Sequence, residues 1–338
     1  MNLNKTLTIS FFFAFCSLII ILANLKKKIF DPSSKIIDEV VKISNSRFGI
    51  LFEPKIFHVK DETPSVFLSA DFAKIDLLSE DAYLEKLEGK SFNLERSPVT
   101  YFAEKGHYGK KDSELTLEGK VLIKEDDSTL NASRVVYKLN KDEILGDGDV
   151  MFKGVLPKSK DIIFIKALKF SHFPKRKITS FKENIDGKIQ RREAYREGIN
   201  FQTDLLDYYA QELRINLTGN VLFTRKPFSA SSRNGQIYLN NHNKLNYFIL
   251  NDDVKLKEVI EEKGKHFIRK AFAEKMEGFP DEGKLILTGY PRVFQENEVI
   301  KGIRIIVREN SNVVEVEEAN TTIKLQKGAD GKNLFDSE

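Results

Sequence analysis

Residues 114–124 read ELTLEGKVLIK. Leu115, Leu117, Gly119, Val121 and Ile123 occupy the odd positions. Glu114, Thr116, Glu118, Lys120 and Lys124 occupy the even ones, with Leu122 as a single apolar intruder. Alternation of period two is what a strand with one buried and one wet face produces, whereas a helix would scramble it. A second copy runs over 213–225, LRINLTGNVLFTR. Leu213, Ile215, Leu217, Gly219, Val221 and Phe223 share one face there, again with one intruder, Leu222.

Three weaker copies keep the order apolar, x, Gly or Asp, x, Val, x, apolar. They are Ile144 to Phe152, Phe248 to Leu256 and Leu285 to Val293. Their central positions, 119, 148, 219, 252 and 289, are 29, 71, 33 and 37 residues apart. The gap of 71 is about two units, which places a degenerate copy near Ile163 to Phe170. A recurrence of this length marks a repeat architecture. Each unit also has a leading half, apolar-x-Ala, as in Leu130-Asn131-Ala132 and Phe228-Ser229-Ala230. Polar clusters at 110–113, 125–128, 140–143 and 240–244 punctuate the halves as turns. The expected fold is therefore all-β: an antiparallel, repeat-built body folded over itself. Glycine at the strand centre permits a bend or a close backbone approach at the fold line.

Composition narrows the function classes. The 338 residues carry 54 Lys+Arg against 50 Asp+Glu, a net charge of +4, which lacks the basic excess of a nucleic-acid binder. One cysteine, Cys16, excludes a disulfide framework and multi-cysteine zinc patterns. The five histidines, His58, His107, His172, His242 and His266, are scattered singly and read as solvated strand or loop residues. Gly146 to Asp149, GDGD, lacks the spacing of a calcium loop and reads as a bend within a strand. There is no phosphate-binding Gly-rich motif, and no cofactor or metal is expected.

Leu7 to Ala23 is a run of 17 residues without a charge, about 26 Å as a helix. No small-residue cleavage site follows it, which favours an uncleaved anchor over a secretory signal. The expected organisation is an N-terminal tail (1–6), a transmembrane helix (7–24), a connector (25–54) in which residues 35–43 could form a short helix, one β module (55–186), a second (187–327) and a polar tail (328–338). The polar stretch Lys182 to Arg196 is taken as the border between modules. Lys26, Lys27 and Lys28 favour a cytoplasmic location for the end they follow.

An anchor followed by L-x-L-x-G-x-V-x-I (Leu115 to Ile123), L-x-A (Leu130 to Ala132), Tyr137 and GDGDV (Gly146 to Val150) resembles LptC, the membrane-anchored component of lipopolysaccharide export. The stretch from about Arg192 to Leu325 resembles the LptA/OstA family through L-x-G-N-V (Leu217 to Val221), I-x-G-x-x-I (Ile300 to Ile305) and V-x-V (Val314 to Val316). The two families are ordinarily separate chains. The resemblance implies a folded-over β-jellyroll whose apolar interior holds the acyl chains of lipopolysaccharide or a similar glycolipid. It implies a body in the periplasm against the inner membrane, an inner-membrane ABC transporter as partner, and other β-jellyroll bridge proteins joined by edge-strand pairing. No enzymatic activity and no nucleic acid are implied. The slot-facing residues would be Leu117, Val121, Ile123, Val150, Phe152, Leu217, Val221, Phe223, Val254 and Leu287.

Two other readings stay open. One is an anchored β-repeat protein with a structural or adhesive role and no lipid. The other is a carbohydrate-active enzyme, which needs paired carboxylates on one face. Asp252 and Asp253 are adjacent, so in a strand they would point to opposite faces.

Overall fold

The computed structural model describes residues 47–323, less 61–62, 94–95, 113, 139–140, 142, 157–158, 174–175, 193–197, 243–244, 263–264, 297, 310, 312 and 319. The expected transmembrane helix, the 35–43 helix and the polar tail lie outside the described residues. Among the described residues no helix is long and apolar enough to cross a membrane. The described chain is built from 22 antiparallel strands. They are β1 (Phe48–Phe52), β2 (Lys55–Lys60), β3 (Thr63–Ser69), β4 (Phe72–Asp76), β5 (Ala82–Asn93), β6 (Arg96–Gly109), β7 (Glu114–Glu125), β8 (Ser128–Lys138), β9 (Glu143–Val155), β10 (Ile162–Phe173) and β11 (Ile178–Gln190). They continue as β12 (Ile199–Tyr209), β13 (Arg214–Arg225), β14 (Phe228–Leu239), β15 (Leu245–Glu262), β16 (Lys265–Phe279), β17 (Lys284–Thr288), β18 (Arg292–Gln295), β19 (Glu298–Lys301), β20 (Arg304–Arg308), β21 (Val314–Glu317) and β22 (Asn320–Ile323).

Two compact units result. One runs to Ala194 and includes Leu205–Leu213; the other takes Tyr195–Asp204 and Arg214 onward. In the first unit, β5 to β11 pair successively as a meander. In the second, β13 to β16 do the same, and β16 then pairs with both β17 and β18. β1 already pairs with β4, from Phe48↔Asp76 to Phe52↔Phe72, so strand structure begins inside the segment expected to be connector.

The long odd-numbered strands from β7 to β15 each break their ladder near the centre. Gly119 and Lys120 of β7 both take positive φ, 76° and 47°. The pairing with β8 jumps there from Glu118↔Arg134 to Val121↔Ala132, so two residues of β7 face one of β8. The same left-handed pair recurs as Gly148-Asp149, Glu183-Asn184, Gly219-Asn220, Asp252-Asp253 and Gly289-Tyr290, and β5 has the single Lys86. Left-handed backbone is open to glycine and only tolerated by Asn or Asp, which explains the Gly-Val and Asp-Val template at these centres. The degenerate copy is thus Glu183-Asn184 in β11, not 163–170. The polar stretch expected as a border is strand as far as Gln190. It looked strandless because its bend has charged and polar residues where glycine stands elsewhere. Asp252 and Asp253 occupy a bend with both side chains exposed, so they do not alternate across a strand.

The bend folds the sheet. Within one unit it divides the long strands between two walls, which meet at a crease. Wall 1 carries Leu115, Leu117, Val135 and Tyr137; wall 2 carries Val121, Ile123, Leu130 and Ala132, all of them buried. In the second unit Phe223 of wall 2 pairs with Ala230, which pairs with Leu256. Leu256 is eight residues along β15 from Phe248 of wall 1, about 26 Å on a flat sheet. The Phe223 and Phe248 rings nevertheless stack with centroids 4.3 Å apart. In the first unit Phe152 of wall 2 lies 6.0 Å from Phe181 of wall 1. The walls therefore face each other and bury their apolar sides, each large side chain contributing about 1.5–3 kcal/mol.

Two outcomes test these local devices. Gly119 has φ 76°, and a Cβ there would lie 2.5 Å from Glu104 Oε2. Gly119→Ala is expected to cost about 1–2 kcal/mol in denaturant unfolding, while Lys120→Gly, which removes only an exposed ion pair with Glu104, should cost less than about 0.5 kcal/mol. At the start of β1, Arg47 bonds Asp76 at 2.6 Å, and Asp76 Oδ1 accepts from the Leu78 and Ser79 amides. The hydrogen bond from Arg47 leads in pulling the Asp76 carboxyl down to about 2. A carboxyl depressed in the folded state stabilises above its unfolded value near 4 and loses that contribution as pH falls toward 2. Wild type should lose stability relative to Asp76→Asn across that window, and parallel pH profiles would refute the assignment.

Candidate functional site

The chemistry-bearing feature of each unit is the apolar interior between its walls. It arises because two left-handed residues leave the parity of an odd strand unchanged, so Leu115, Leu117, Val121 and Ile123 all face inward across the crease. The single opposed residue of the even strand slips the phase by one. In β8 the inward set is Leu130 and Ala132, then Val135 and Tyr137, with Val136 between them buried as well. In β14 it is Phe228, Ala230 and Ser232, then Gly235, Ile237 and Leu239. Both strand types thereby turn apolar side chains to one cavity-forming face.

The ten residues expected to line a slot stand on the inner sides of the two walls. Leu117, Leu217 and Leu287 stand on wall 1. Val121, Ile123, Val150, Phe152, Val221, Phe223 and Val254 stand on wall 2. Nine are buried and Phe152 is half-buried. They divide between the units, Leu117 to Phe152 in the first and Leu217 to Leu287 in the second. Sequence reading missed the wall 1 halves of the even strands, such as Val135, Phe170, Ile237 and Met276, each beyond the phase slip. The signal was available as apolar-x-Ala followed three residues later by a second apolar pair. It also missed the way glycine admits aromatics: a Cβ on Gly146 would sit 1.8 Å from the ring of Phe170, its cross-strand partner.

The interior is not wholly apolar. His172, expected to be solvated, is fully buried, and its Nδ1 lies 2.9 Å from Thr179 Oγ1. Burial pulls its imidazole down to about 3, so it stays neutral across physiological pH. In the second unit Glu258 and Arg269 are cross-strand partners, fully buried and 3.0 Å apart. Arg269 also donates to Gln295 Oε1 at 2.8 Å and to the carbonyls of Arg308 and Ser311. Those carbonyls belong to the free margin of wall 1, whereas Arg269 belongs to wall 2. Arg225, at the free margin of wall 2, donates from Nη1 to both carboxylate oxygens of Glu309, at 2.7 and 2.9 Å. Two arginines therefore latch the margins of the second unit together. Among the described residues no group of three or more His, Cys, Asp or Glu could hold a metal ion.

No curated protein matches the chain. Among solved structures, the chain is similar to LptH of Pseudomonas aeruginosa, described as the LptA homologous periplasmic component of the conserved lipopolysaccharide transport device. The identity is 12%, the likeness covers 38% of this chain and 95% of that one, and the TM-score is 0.34. Residues 102–313, well over half of the sequence, match the family model described as LptA/(LptD N-terminal domain) LPS transport protein. That match extends through both compact units, and on it the chain belongs to the LptA/LptD N-terminal domain family of lipopolysaccharide transport proteins.

Proposed function

We propose that the chain is a non-enzymatic component of the periplasmic bridge for lipopolysaccharide, holding acyl chains between its two walls. It would be anchored in the inner membrane by residues 7–24, with an LptC-like module preceding an LptA-like one. An inner-membrane ABC transporter would deliver the lipid, and edge-strand pairing would join other bridge proteins. One observation carries the reading: within each unit the crease turns apolar residues of both strand parities inward, and the bend residues recur at intervals of 29 to 37. A repeated slot offers sheltered sites for hydrocarbon, each acyl CH₂ removed from water contributing about 0.8 kcal/mol.

The interior of the second unit is closed on itself. Phe223 stacks on Phe248 across the walls, and the Arg225–Glu309 latch joins their margins. This observation favours the second reading, an anchored β-repeat protein without a lipid. Under the first, an acyl chain has to part the margins and displace ring contacts.

Photo-crosslinkers at Val121 and Val221, each compared with its outward neighbour Leu122 or Leu222, separate the two. Lipopolysaccharide adducts from the inward positions alone are expected in cells; none from either inward position would favour the lipid-free reading. Outward controls are needed at these positions because Asn220 donates to Asp204 Oδ2 at 2.8 Å and is not a neutral site. The latch is tested through stability and access together. Arg225→Ala removes both hydrogen bonds to the partly buried Glu309 carboxylate and should cost about 2–4 kcal/mol, most of it regained in Arg225→Met/Glu309→Leu. The double variant should also raise the adduct yield at Val221, and an unchanged yield would show that the latch does not govern access.

A further inference from the structure

The outer face of wall 2 carries a row of lysines that neither the fold nor the slot uses. Pairing in the first unit places Lys90 beside Thr100, Thr100 beside Lys124, Lys124 beside Thr129, and Thr129 beside Lys153. Lys153 then stands beside Phe164, and Phe164 beside Lys188. Four lysines thus lie in one line, on alternate strands and about 9.5 Å apart. All four hold the same place in the repeat, four residues past the bend, where Lys257 of the second unit also stands and Thr224 and Phe294 break the series. Lys and Arg together make 54 of 338 residues, so composition would put about one in seven such positions, against five found. Lys124, Lys153 and Lys188 are exposed, and none has an ion-pair partner among the described residues. Lys124 has only the Phe102 ring, 5.9 Å away. Glu125 follows Lys124 directly, with Asp126 and Asp127 at the tip of the β7–β8 hairpin, and Asp186 stands two residues from Lys188.

The row runs along the free margin of wall 2. Lys124 stands next to the last residue of β7, and Lys153 and Lys188 two residues from the ends of β9 and β11. At the margin of wall 1, Lys138 of β8 lies between Glu114 and Glu143, 4.0 Å from the latter, and the lysines beyond it, Lys111, Lys141 and Lys177, sit in the turns. A lipid whose chains lie between the walls must emerge between these two margins. At the wall 2 margin Lys124, Lys153 and Lys188 project from the strands themselves, in one line on the outer face.

We propose that this lysine row is a phosphate-binding rail for an anionic glycolipid, orienting the headgroup against wall 2 while the chains occupy the interior. The inference rests on the lipid-slot reading and adds to it which side the headgroup takes and the charge it must carry. Unpaired ammonium groups attract phosphate without geometric selectivity, so several headgroup positions along the row would be nearly equivalent.

The test measures binding of phosphorylated and dephosphorylated lipopolysaccharide to the full chain at several salt concentrations. Lys124→Gln/Lys153→Gln/Lys188→Gln should weaken the phosphorylated form about tenfold, flatten its salt dependence and leave the dephosphorylated form unchanged. The corresponding triple arginine variant should bind like wild type, and Lys105→Gln/Lys111→Gln/Lys141→Gln, on the other wall, should change binding less than about twofold. Unchanged binding of phosphorylated lipid by the first variant, or equal losses from both glutamine triples, would overturn the rail and leave the slot reading standing. Failure of wild type to bind either form would overturn the slot reading and the rail with it.

Discussion

A pair of consecutive residues with positive φ, inserted opposite a single residue of the neighbouring strand, is the constraint on which the molecule depends. Left-handed backbone costs an ordinary residue about 1–2 kcal/mol, and the chain meets that cost at Lys120, Asp149, Asn184, Asn220, Asp253 and Tyr290. What offsets it is the interior that the bend creates. Without the crease, Phe223 and Phe248 would be tens of ångströms apart on a one-sided sheet with its apolar face in water. With it, they stack at 4.3 Å.

The crease also settles how polar groups can enter the interior. Glu258 and Arg269 lie opposite each other in β15 and β16, and their burial is sustained by the Gln295 side chain and two carbonyls across the gap. A buried pair of this kind is poor evidence for stability, since desolvation cancels much of its attraction. Its value is geometric: the fixed fork of Arg269 ties one wall to the other at a defined separation. The interior thus has a soft zone of stacked rings and a hard zone of charged hydrogen bonds, and any lipid would meet them differently.

Outside, the repeat has a second consequence. Because the long odd strands bend in step, residues at a fixed distance past the bend fall into line across the sheet. A choice that looks like an isolated surface lysine in one strand becomes a row when several strands make it. Lys90, Lys124, Lys153 and Lys188 are far apart in sequence yet neighbours in alternate strands.

The amino-acid sequence by itself determined that the body is β, that its units recur every thirty-odd residues, and that Leu117, Val121, Leu217 and Val221 share a face with their neighbours in the same strand. Those features are local: alternation of period two is written in consecutive residues, and an odd strand keeps its parity through the bend. The even strands were only half legible, because a one-residue phase slip lies in the backbone pairing and not in residue type. Glu183-Asn184 was illegible for a related reason, since its left-handed pair is imposed by the strands on either side and carries no glycine. Which wall each residue joins, the burial of His172 and the contact of Arg225 with Glu309 across 84 positions were decided only by tertiary structure. Each depends on the two walls closing upon each other, and that closure brings together residues whose separation along the chain carries no local signal.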